Sequence, residues 1–316
     1  MLVYRGFSQA APAPTVLTIG NFDGIHQGHR ALLGRLKTIA AREHLLPAVL
    51  TFEPHPREYF SPESAPARLS TLREKLELIE DEDVAATWVC RFNARFAALS
   101  AEEFIERVLV DTLRVKHLII GDDFCFGADR SGNFALLSDA GKRYGFALEA
   151  VAGVTVDGQR ASSSAVRAAL AAGQLDLAER LLGRPYSIDG RVVRGDQLGR
   201  QLGFATANIR IKHDKPPLLG VFAVEVSGPG LAGSPLKGVA NLGFRPSLNK
   251  TRQALLEVHL FDFAGDLYGT HLNVRFQHQL RDEMKFPNLD ALKAQIALDV
   301  SEAKSYFHRA GAKGQR

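Results

Sequence analysis

The first half of the chain alternates short apolar runs with segments whose apolar residues recur at helical spacing. The runs predict buried strands, because a strand covered on both faces is almost continuously apolar. The segments between and after them predict helices, and this alternation predicts a parallel sheet covered on both faces. The predicted strands are 15–19, 47–52, 86–90, 117–121 and 146–151, and the predicted helices are 31–40, 71–79, 100–111, 134–144, 161–172 and 175–182.

The pattern changes after residue 184, where six short runs separated by Gly, Pro and Asn replace the earlier alternation. Six such strands with no helix between them predict an antiparallel barrel. Apolar residues at helical spacing over 289–307 predict a closing helix. We therefore predict an α/β domain over residues 1–184 and a barrel domain over residues 185–316. The six predicted strands are 186–193, 203–211, 221–226, 238–242, 254–261 and 272–278.

Composition supports two domains and narrows the class of protein. The chain has 316 residues, 46% of them hydrophobic, which is enough for two sizeable cores. Its net charge of +4 is scattered, so anionic small molecules explain it as well as nucleic acid does. Cys90 and Cys125 are far apart and form no disulfide or zinc pattern. With no signal-peptide core and no apolar run of ~20 residues, we expect a cytoplasmic protein without membrane or nucleic-acid partners.

The stretch Gly20–His29 has the strongest chemical character in the chain. It joins the predicted strand 15–19 to a helix and reads Gly-Asn-Phe-Asp-Gly-Ile-His-Gln-Gly-His. A helix N-terminus carries free N–H groups and a partial positive charge, and glycines let an anion approach the backbone. Phosphate binding is therefore the best single interpretation of the turn. Capping histidines, a plain glycine turn, or a metal pair formed by His26 and His29 are the alternatives.

Two other features of the first half point to the same kind of ligand. The turn 121–127 follows the predicted strand 117–121, and ligands of parallel sheets bind at the carboxyl ends of the strands. Ser162–Ser164 open a helix, for which serine capping is a sufficient explanation. Arg167, however, falls in the first turn of that helix, where a cation opposes the helix dipole. An anionic partner and a purely structural role are equally good interpretations of this arginine.

The second half offers weaker signals when each is taken alone. Glycines at 195, 199 and 203 make a loop that can wrap a phosphate, but a barrel hairpin also uses glycines. Thr206 and Asn208 alternate, so both point to one face of a strand, as Mg²⁺ ligands or as solvated residues. Glu257 lies between apolar neighbours, either on the solvent face or in a pocket, where it can act as a general base.

Taken together, these stretches resemble the bacterial bifunctional riboflavin kinase/FAD synthetases, over about residues 15–306. The first half is similar to the adenylyltransferase module of that family, and the second half, with 238–243, 245–246, 266–269 and 281–283, is similar to the riboflavin kinase module. The resemblance implies a nucleotidylyltransferase-type, Rossmann-like parallel sheet followed by a six-stranded antiparallel barrel with a C-terminal helix. It also implies two ATP-dependent steps. A riboflavin kinase converts riboflavin to FMN, and an FMN adenylyltransferase converts FMN to FAD with release of pyrophosphate.

The resemblance also implies roles for particular residues. His26, His29 and Arg167 would act on the phosphates of ATP during adenylyl transfer, and Glu257 would be the base of the kinase. Thr206 and Asn208 would hold Mg²⁺. Two departures from the family pattern are Ala205 in place of proline and Ser164 in place of threonine, and neither removes a reacting group. The residues implied to bind ATP and flavin are Gly20, Asn21, Phe22, Asp23, Gly24, Gly28, Gly121, Asp122, Asp123, Phe124, Ser162, Ser163, Ser164, Gly195, Gly199, Arg200, Gly203, Asn241 and Arg281.

Three other functions are compatible with parts of the sequence. A nucleotidylyltransferase for a different phosphorylated acceptor would explain the first half but not the kinase-like second half. A flavin-sensing protein would explain both halves without activity, although Glu257 and both histidines are present. A nucleic-acid-binding protein would use the basic charge and the barrel, but no pattern of stacking aromatics accompanies them. The sequence leaves the oligomeric state unknown.

Overall fold

The computed structural model describes residues 1–195, 204–213, 215–231, 233–246 and 252–313. By their internal packing these residues form two compact units. The first comprises Met1–Pro66 and Leu72–Ser163, and the second comprises Ala67–Thr71 and Ser164–Arg316. This division falls earlier than residue 184 and concerns packing alone, so the predicted functional boundary stays a prediction.

The first unit is built on a six-stranded, all-parallel sheet. Its order is β1-β4-β3-β2-β5-β6, with neighbouring strands hydrogen-bonded in parallel register. The central strands are mostly buried, as expected for a sheet covered on both faces. The strands are β1 (Leu2–Arg5), β2 (Thr15–Ile19), β3 (Leu46–Glu53), β4 (Ala86–Arg91), β5 (Val115–Gly121) and β6 (Ala147–Val151).

Helices cover the two faces of this sheet. Val16, Val49 and Ile119 point to one face, where Leu36 and Ile79 of two helices pack on them. The alternate residues of the same strands point to the other face and pack on the segment 104–113 and on Leu137. The helices are α1 (Gln27–Glu43), α2 (Pro56–Phe60), α3 (Leu72–Glu80), α4 (Ala94–Ala97), α5 (Ala101–Glu103), which continues as a π-helix (Phe104–Thr112), and α6 (Phe134–Tyr144).

The second unit contains a closed antiparallel barrel. Its strands follow the order β10-β13-β12-β11-β14-β9, and β9 also pairs with β10 to close the sheet. Alternate residues such as Leu256 and Val258 are fully buried and fill the barrel interior. The strands are β9 (Ser187–Val193), β10 (Ala207–Arg210), β11 (Gly220–Ser227), β12 (Leu236–Pro246), β13 (Arg252–Leu260) and β14 (His271–Arg281).

Three further helices are associated with the barrel sequence, namely α7 (Ser163–Ala171), α8 (Leu175–Leu182) and α9 (Leu289–Lys313). Helix α9 packs on the outside of the barrel, where Ala303 and Phe307 meet Val221, Ala223 and Val239. The two-part fold predicted from the sequence is therefore confirmed, including the six-stranded barrel and its C-terminal helix.

Several details differ from the sequence prediction. Strand β1 was not predicted, because it is only four residues long and Leu2 and Val3 are exposed. Helix α1 begins at Gln27, earlier than the predicted residue 31. The predicted helix 100–111 has the expected capping box, in which Ser100 and Glu103 bond each other's backbone N–H groups, but it continues as a π-helix. A 3₁₀ turn (Ala128–Arg130) and a two-stranded ribbon, β7 (Thr155–Val156) with β8 (Gln159–Arg160), complete the first unit.

Candidate active sites

The turn between β2 and α1 is held in an uncommon backbone conformation. Gly24 has a φ of 85°, and the non-glycine residues Phe22 and Ile25 have φ values of 49° and 41°. Both of these apolar side chains are buried in the core, which holds the backbone in this left-handed region. Backbone strain of this kind is typical of binding sites, where the surrounding structure overdetermines the chain.

His26 and His29 are brought together at the N-terminus of α1. His26 is the N-cap, and its Nδ1 accepts a hydrogen bond of 3.4 Å from the backbone N–H of His29. Because Nδ1 is an acceptor, the proton of a neutral His26 ring lies on Nε2. The two rings stack with centroids 3.7 Å apart, and the His29 ring also contacts Phe22. A substituent on Gly28 would crowd the His26 ring and the Ala161 carbonyl, both 3.1 Å from a Cβ at that position.

The environment of His29 favours its neutral form. Burial lowers the pKa of His29 well below its usual value, and the nearby His26 and Lys75 lower it further. Its Nδ1 is buried and makes no hydrogen bond with any residue that the structure describes. His29 is therefore neutral at pH 7.

The turn after β5 lies beside this site, because β2 and β5 are neighbouring parallel strands. Arg160 fixes the turn through a 2.7 Å bond from Nη2 to Asp122 Oδ1, and Asp123 Oδ2 lies 3.6 Å from the same nitrogen. Ser163 Oγ donates to the carbonyl of Asp23 at 2.9 Å, so it supports the first turn. Ser162 is half-buried and Ser164 is exposed.

Both turns open into one large cleft with a volume of about 1180 Å³. This volume is generous for one small ligand and accommodates a nucleotide together with a second planar molecule. Of the predicted ligand-binding residues, Gly20, Asn21, Phe22, His29, Gly121, Asp123 and Phe124 line it. The sequence did not predict its aromatic wall, which is formed by Phe52, Tyr59, Phe60, Phe92, Phe96, Phe104 and Phe126.

The aromatic wall comes from separate elements with no shared sequence period. Tyr59, Phe60 and Phe92 pack edge to face with centroids 5.1 to 5.5 Å apart, and Phe124 stacks on Phe126. Phe60 nevertheless remains 65% exposed. An exposed aromatic cluster that rims a cleft is a suitable surface for a flat heteroaromatic ligand.

Arg167 belongs to the second unit by its packing. Its Nε donates to the carbonyl of Ala67 at 2.5 Å. This bond fixes the base of the guanidinium group. The predicted action of Arg167 on phosphate stays a prediction.

The second site is a row of polar side chains across three strands of the barrel. Glu257 on β13 is directly paired with Asn208 on β10 and with Asn241 on β12. Directly paired residues point to the same face of a sheet, so the carboxylate stands between two amides. Thr206 lies two residues before Asn208, directly before the first residue of β10, and it lines the same cavity as Glu257. This face is the outer one, because the alternate residues of β13 fill the barrel interior.

Helix α9 covers part of this face and encloses a cavity of about 190 Å³. Four of the side chains lining it are Thr206, Asn241, Glu257 and Arg281. A second cavity of about 540 Å³ is lined by 205–208 and 263–268, and Thr206 borders both. The polar residues therefore border two spaces, one beneath α9 and one lined by 205–208 and 263–268.

Gly195, the first residue of the glycine loop, packs against the side chain of Asn208. A Cβ on Gly195 would lie 2.4 Å from the amide of Asn208, so only glycine allows this approach. Gly199, Arg200 and Gly203 lie outside the described residues. The position of Ala205, where the family pattern has proline, is fixed by a 2.9 Å hydrogen bond between its carbonyl and His259 Nδ1.

Arg281 is held by a buried carboxylate that the sequence did not reveal. Its Nε and Nη2 bond the two oxygens of Asp299 at 2.9 and 2.8 Å, and Gln295 donates to the same carboxylate. Its Nη1 donates to the carbonyl of Asp282. Glu283 lines the same cavity, and burial raises the pKa of its carboxyl, while Arg281 opposes that rise.

The residues that could hold a metal ion are oxygen donors of the barrel. In the described ranges there is no cluster of three or more His, Cys, Asp or Glu side chains able to bind a metal. The hydroxyl of Thr206 and the amide of Asn208 are hard oxygen donors on one face, which suits Mg²⁺ completed by water and substrate phosphates. The residues present therefore fit this ion.

A turn at a helix N-terminus and a barrel carboxylate between two amides are both arrangements that suit phosphate-transfer chemistry. The FAD synthetase family model matches residues 8–165, and the riboflavin kinase family model matches residues 182–307. The chain belongs to the family of bifunctional riboflavin kinase/FMN adenylyltransferases. The family membership expected from the sequence is thus confirmed.

Relatives from several bacteria support this membership along nearly the whole chain. The bifunctional riboflavin kinase/FMN adenylyltransferase of Escherichia coli (strain K12) is 50% identical over 310 residues, which cover 97% of this chain and 98% of that protein. The protein of the same name from Haemophilus influenzae is 50% identical, covering 92% and 94%. That from Pseudomonas fluorescens is 48% identical, covering 96% and 97%.

A solved structure has the same fold. The crystal structure titled macrolide-efflux protein from Streptococcus pneumoniae matches with a TM-score of 0.82 and 27% identity, covering 95% of this chain and 97% of that one. None of the helices in the described part of this chain has the length and apolarity needed to cross a membrane.

Proposed function

We propose that the two activities of this family are divided between the two candidate sites. The chain phosphorylates riboflavin to FMN and adenylylates FMN to FAD, with ATP as co-substrate of both steps. Residues 1–184 carry the adenylyl transfer and residues 185–316 carry the phosphorylation. The observation that supports this division is that each half of the chain has its own candidate site. One is the turn that carries His26 and His29, of which His29 lines the large cleft, and the other is the cavity that Glu257 lines.

In the kinase site, Glu257 is the general base. Its carboxylate accepts the proton of the ribityl 5′-hydroxyl as that oxygen attacks the γ-phosphorus of ATP. The new O–P bond forms as the bond from the γ-phosphorus to the β,γ-bridging oxygen breaks, and ADP leaves. The cavity beneath α9 is the place for the flavin, with Asn241 and Arg281 in its wall. The cavity bordered by Thr206 is the place for ATP, and the glycine loop closes over its phosphates.

Thr206 and Asn208 hold the magnesium ion of this site. A bound Mg²⁺ supplies neutralisation of charge on the phosphates. The protein's own contribution is to fix the two oxygen donors. Pairing with Glu257 and the close packing on Gly195 fix the amide of Asn208, and the bond from Ala205 to His259 fixes the strand entry that carries Thr206.

In the adenylyltransferase site, His26 and His29 contact the phosphates of a second ATP. A phosphate oxygen of FMN attacks the α-phosphorus, the bond to the bridging oxygen breaks, and pyrophosphate leaves. FMN already carries an anionic phosphate, so the step needs no base and no nucleophile from the protein. Neutral imidazole N–H groups and the N-terminus of α1 stabilise the charge that develops. Arg167 assists the leaving pyrophosphate.

The remaining predicted binding residues complete this site. The backbone of Gly20, Asp23, Gly24 and Gly28 approaches the phosphates, and Asn21 and Phe22 shape the turn. The turn at Gly121, Asp122, Asp123 and Phe124, together with Ser162, Ser163 and Ser164, borders the nucleotide. The aromatic wall of the cleft holds the isoalloxazine ring of FMN. We further propose a cytoplasmic location and no nucleic-acid partner, in keeping with soluble nucleotide and flavin substrates.

Two single substitutions test this division. His29→Ala should abolish FAD formation while FMN still accumulates from riboflavin, because only the first site loses a phosphate contact. Glu257→Ala should stop FMN formation while FAD still forms when FMN is supplied. The products are separated by chromatography after incubation with ATP and Mg²⁺. If either variant lost both activities while remaining folded by circular dichroism, the two-site division would be wrong.

The same assay separates the competing functions. A nucleotidylyltransferase for another acceptor would form no FMN from riboflavin and ATP, and it would form no FAD from FMN. A flavin sensor would bind FMN without turnover. An oligonucleotide that displaces FMN or ATP would support nucleic-acid binding.

A further inference from the structure

The first unit contains a buried lysine behind the phosphate-binding turn. Lys75 on α3 is only 4% exposed. Its Nζ donates to Thr51 Oγ1 and to the carbonyl of Phe52, both at 3.4 Å. Burying an ammonium group is costly, so the burial of Lys75 on α3 suggests that its charge has a role.

Thr51 continues the contact into the turn itself. Its hydroxyl, which is fully buried, donates to the carbonyl of Asn21 at 3.2 Å. The neighbouring Gly20 N–H donates to the carbonyl of Leu50, so two consecutive residues of the turn are fastened to the end of β3. The hydrogen bonds thus run from Lys75 through Thr51 to the first residues of the turn that carries His26 and His29.

We propose that Lys75 is a positioning residue for adenylyl transfer, which acts through Thr51 on the turn after β2 and through its charge on His29. The inference rests on the proposed contact of His29 with the phosphates of ATP. Lys75 is not part of the cleft lining, so it acts from behind the turn rather than by touching the ligand. Its cation also adds positive potential at the place where the polyphosphate would bind.

The two effects of Lys75 change different measured quantities, namely the KM for ATP and the pH dependence of FAD formation. The link through Thr51 fixes the backbone, so its loss should raise the KM for ATP. The charge opposes protonation of His29, because Lys75 is among the causes that lower the pKa of His29. Without that charge the His29 pKa rises toward its ordinary value, and protonation begins at a higher pH. His26 stacks on the His29 ring. The other titratable or charged groups that line the cleft with His29 are His55, Arg57, Tyr59, Asp123, Cys125, Asp129 and Arg130.

The experiment compares four variants of the full chain by steady-state FAD formation from FMN between pH 5 and 8. Lys75→Met should lower kcat/KM roughly tenfold or more, as expected for loss of a hydrogen bond from a charged group, and should move the acid limb to higher pH. Lys75→Arg should restore the position of the limb. Thr51→Val should raise the KM for ATP without moving the limb. Lys37→Met removes an exposed lysine that faces Asp83 and should change neither quantity.

The outcomes separate this inference from the proposed function. If His29→Ala forms FAD normally in the same assay, the proposed phosphate contact is wrong. If His29→Ala is inactive while Lys75→Met stays within twofold of wild type at every pH, only the inference about Lys75 is overturned. Should Lys75→Met fail to fold by circular dichroism, Thr51→Val decides, because an unchanged KM for ATP in that variant refutes the link to the turn.

Discussion

The ion pair between Arg281 and Asp299 gives a sharp prediction about the barrel unit. The Asp299 side chain is 3% exposed and that of Arg281 is 17% exposed, and two hydrogen bonds of 2.8 and 2.9 Å join them. Asp299→Ala leaves the guanidinium buried without its partner. Breaking a buried pair in this way costs about 3–5 kcal/mol. With a urea m-value of about 2 kcal/mol/M, the unfolding midpoint should fall by roughly 2 M.

A double variant separates lost charge balance from lost packing. Arg281→Met with Asp299→Leu removes both charges and keeps apolar volume, so it should unfold close to the wild-type midpoint. It should still phosphorylate riboflavin poorly, because Arg281 is proposed to contact the flavin.

The assay follows each unit with its own signal. The chain's one tryptophan, Trp88, lies in the first unit, so its fluorescence follows that unit. Far-UV circular dichroism in the same urea series follows both units, so the part of its transition that Trp88 fluorescence does not show follows the barrel. A midpoint shift below about 0.5 M for Asp299→Ala, or a double variant as unstable as the single one, would refute the reasoning from an uncompensated buried charge.

Three other predictions follow from the two sites. Gly28→Ala should lower FAD formation ten- to a hundredfold and leave FMN formation unchanged in the same product assay, because its Cβ displaces the His26 ring. The first unit should lose stability as the pH falls below about 6.5, because the unfolded chain protonates His29 there while the fold keeps it neutral. The Trp88 unfolding midpoint should record this loss, and His29→Gln should flatten it. Thr206→Val should raise the Mg²⁺ concentration needed for half-maximal kinase rate, whereas Thr206→Ser, which keeps the hydroxyl, should not; equal requirements in both variants would argue against a metal contact.

Local patterns were sufficient for much of the architecture. The run 15–19 and the glycines after it predicted a buried strand followed by a turn into a helix, and the structure has both. Binding of a phosphate at that turn stays a prediction. The alternation along β13 predicted a strand with Glu257 either on the solvent face or in a pocket, and in the structure Glu257 lines the cavity beneath α9. Such patterns can be predicted from the sequence because the burial of each residue depends mainly on its own strand or helix.

Structural features that depend on residues far apart in the chain could not be predicted from the sequence. Phe52, Tyr59, Phe92 and Phe96 form one wall of the cleft although they come from separate strands and helices. Asp299 reads as an ordinary helix residue until α9 packs beside Arg281. Strand β1 joins the sheet through four residue pairs with β4, and its short, exposed sequence gives no pattern from which a strand could be predicted. In each case a long-range contact outweighs the local signal.

The row formed by Asn208, Glu257 and Asn241 makes the proposed kinase centre depend on the alignment of three strands. A slip of one residue between neighbouring strands would turn one member of the row inward and exchange it with an apolar core side chain. A closed barrel has no free edge along which a strand can shift, so the alignment is settled when the barrel closes. Alignment of Glu257 with its two amide neighbours therefore occurs together with folding of the core. A chain that has folded into the native barrel already has the carboxylate that we propose as the kinase base in place.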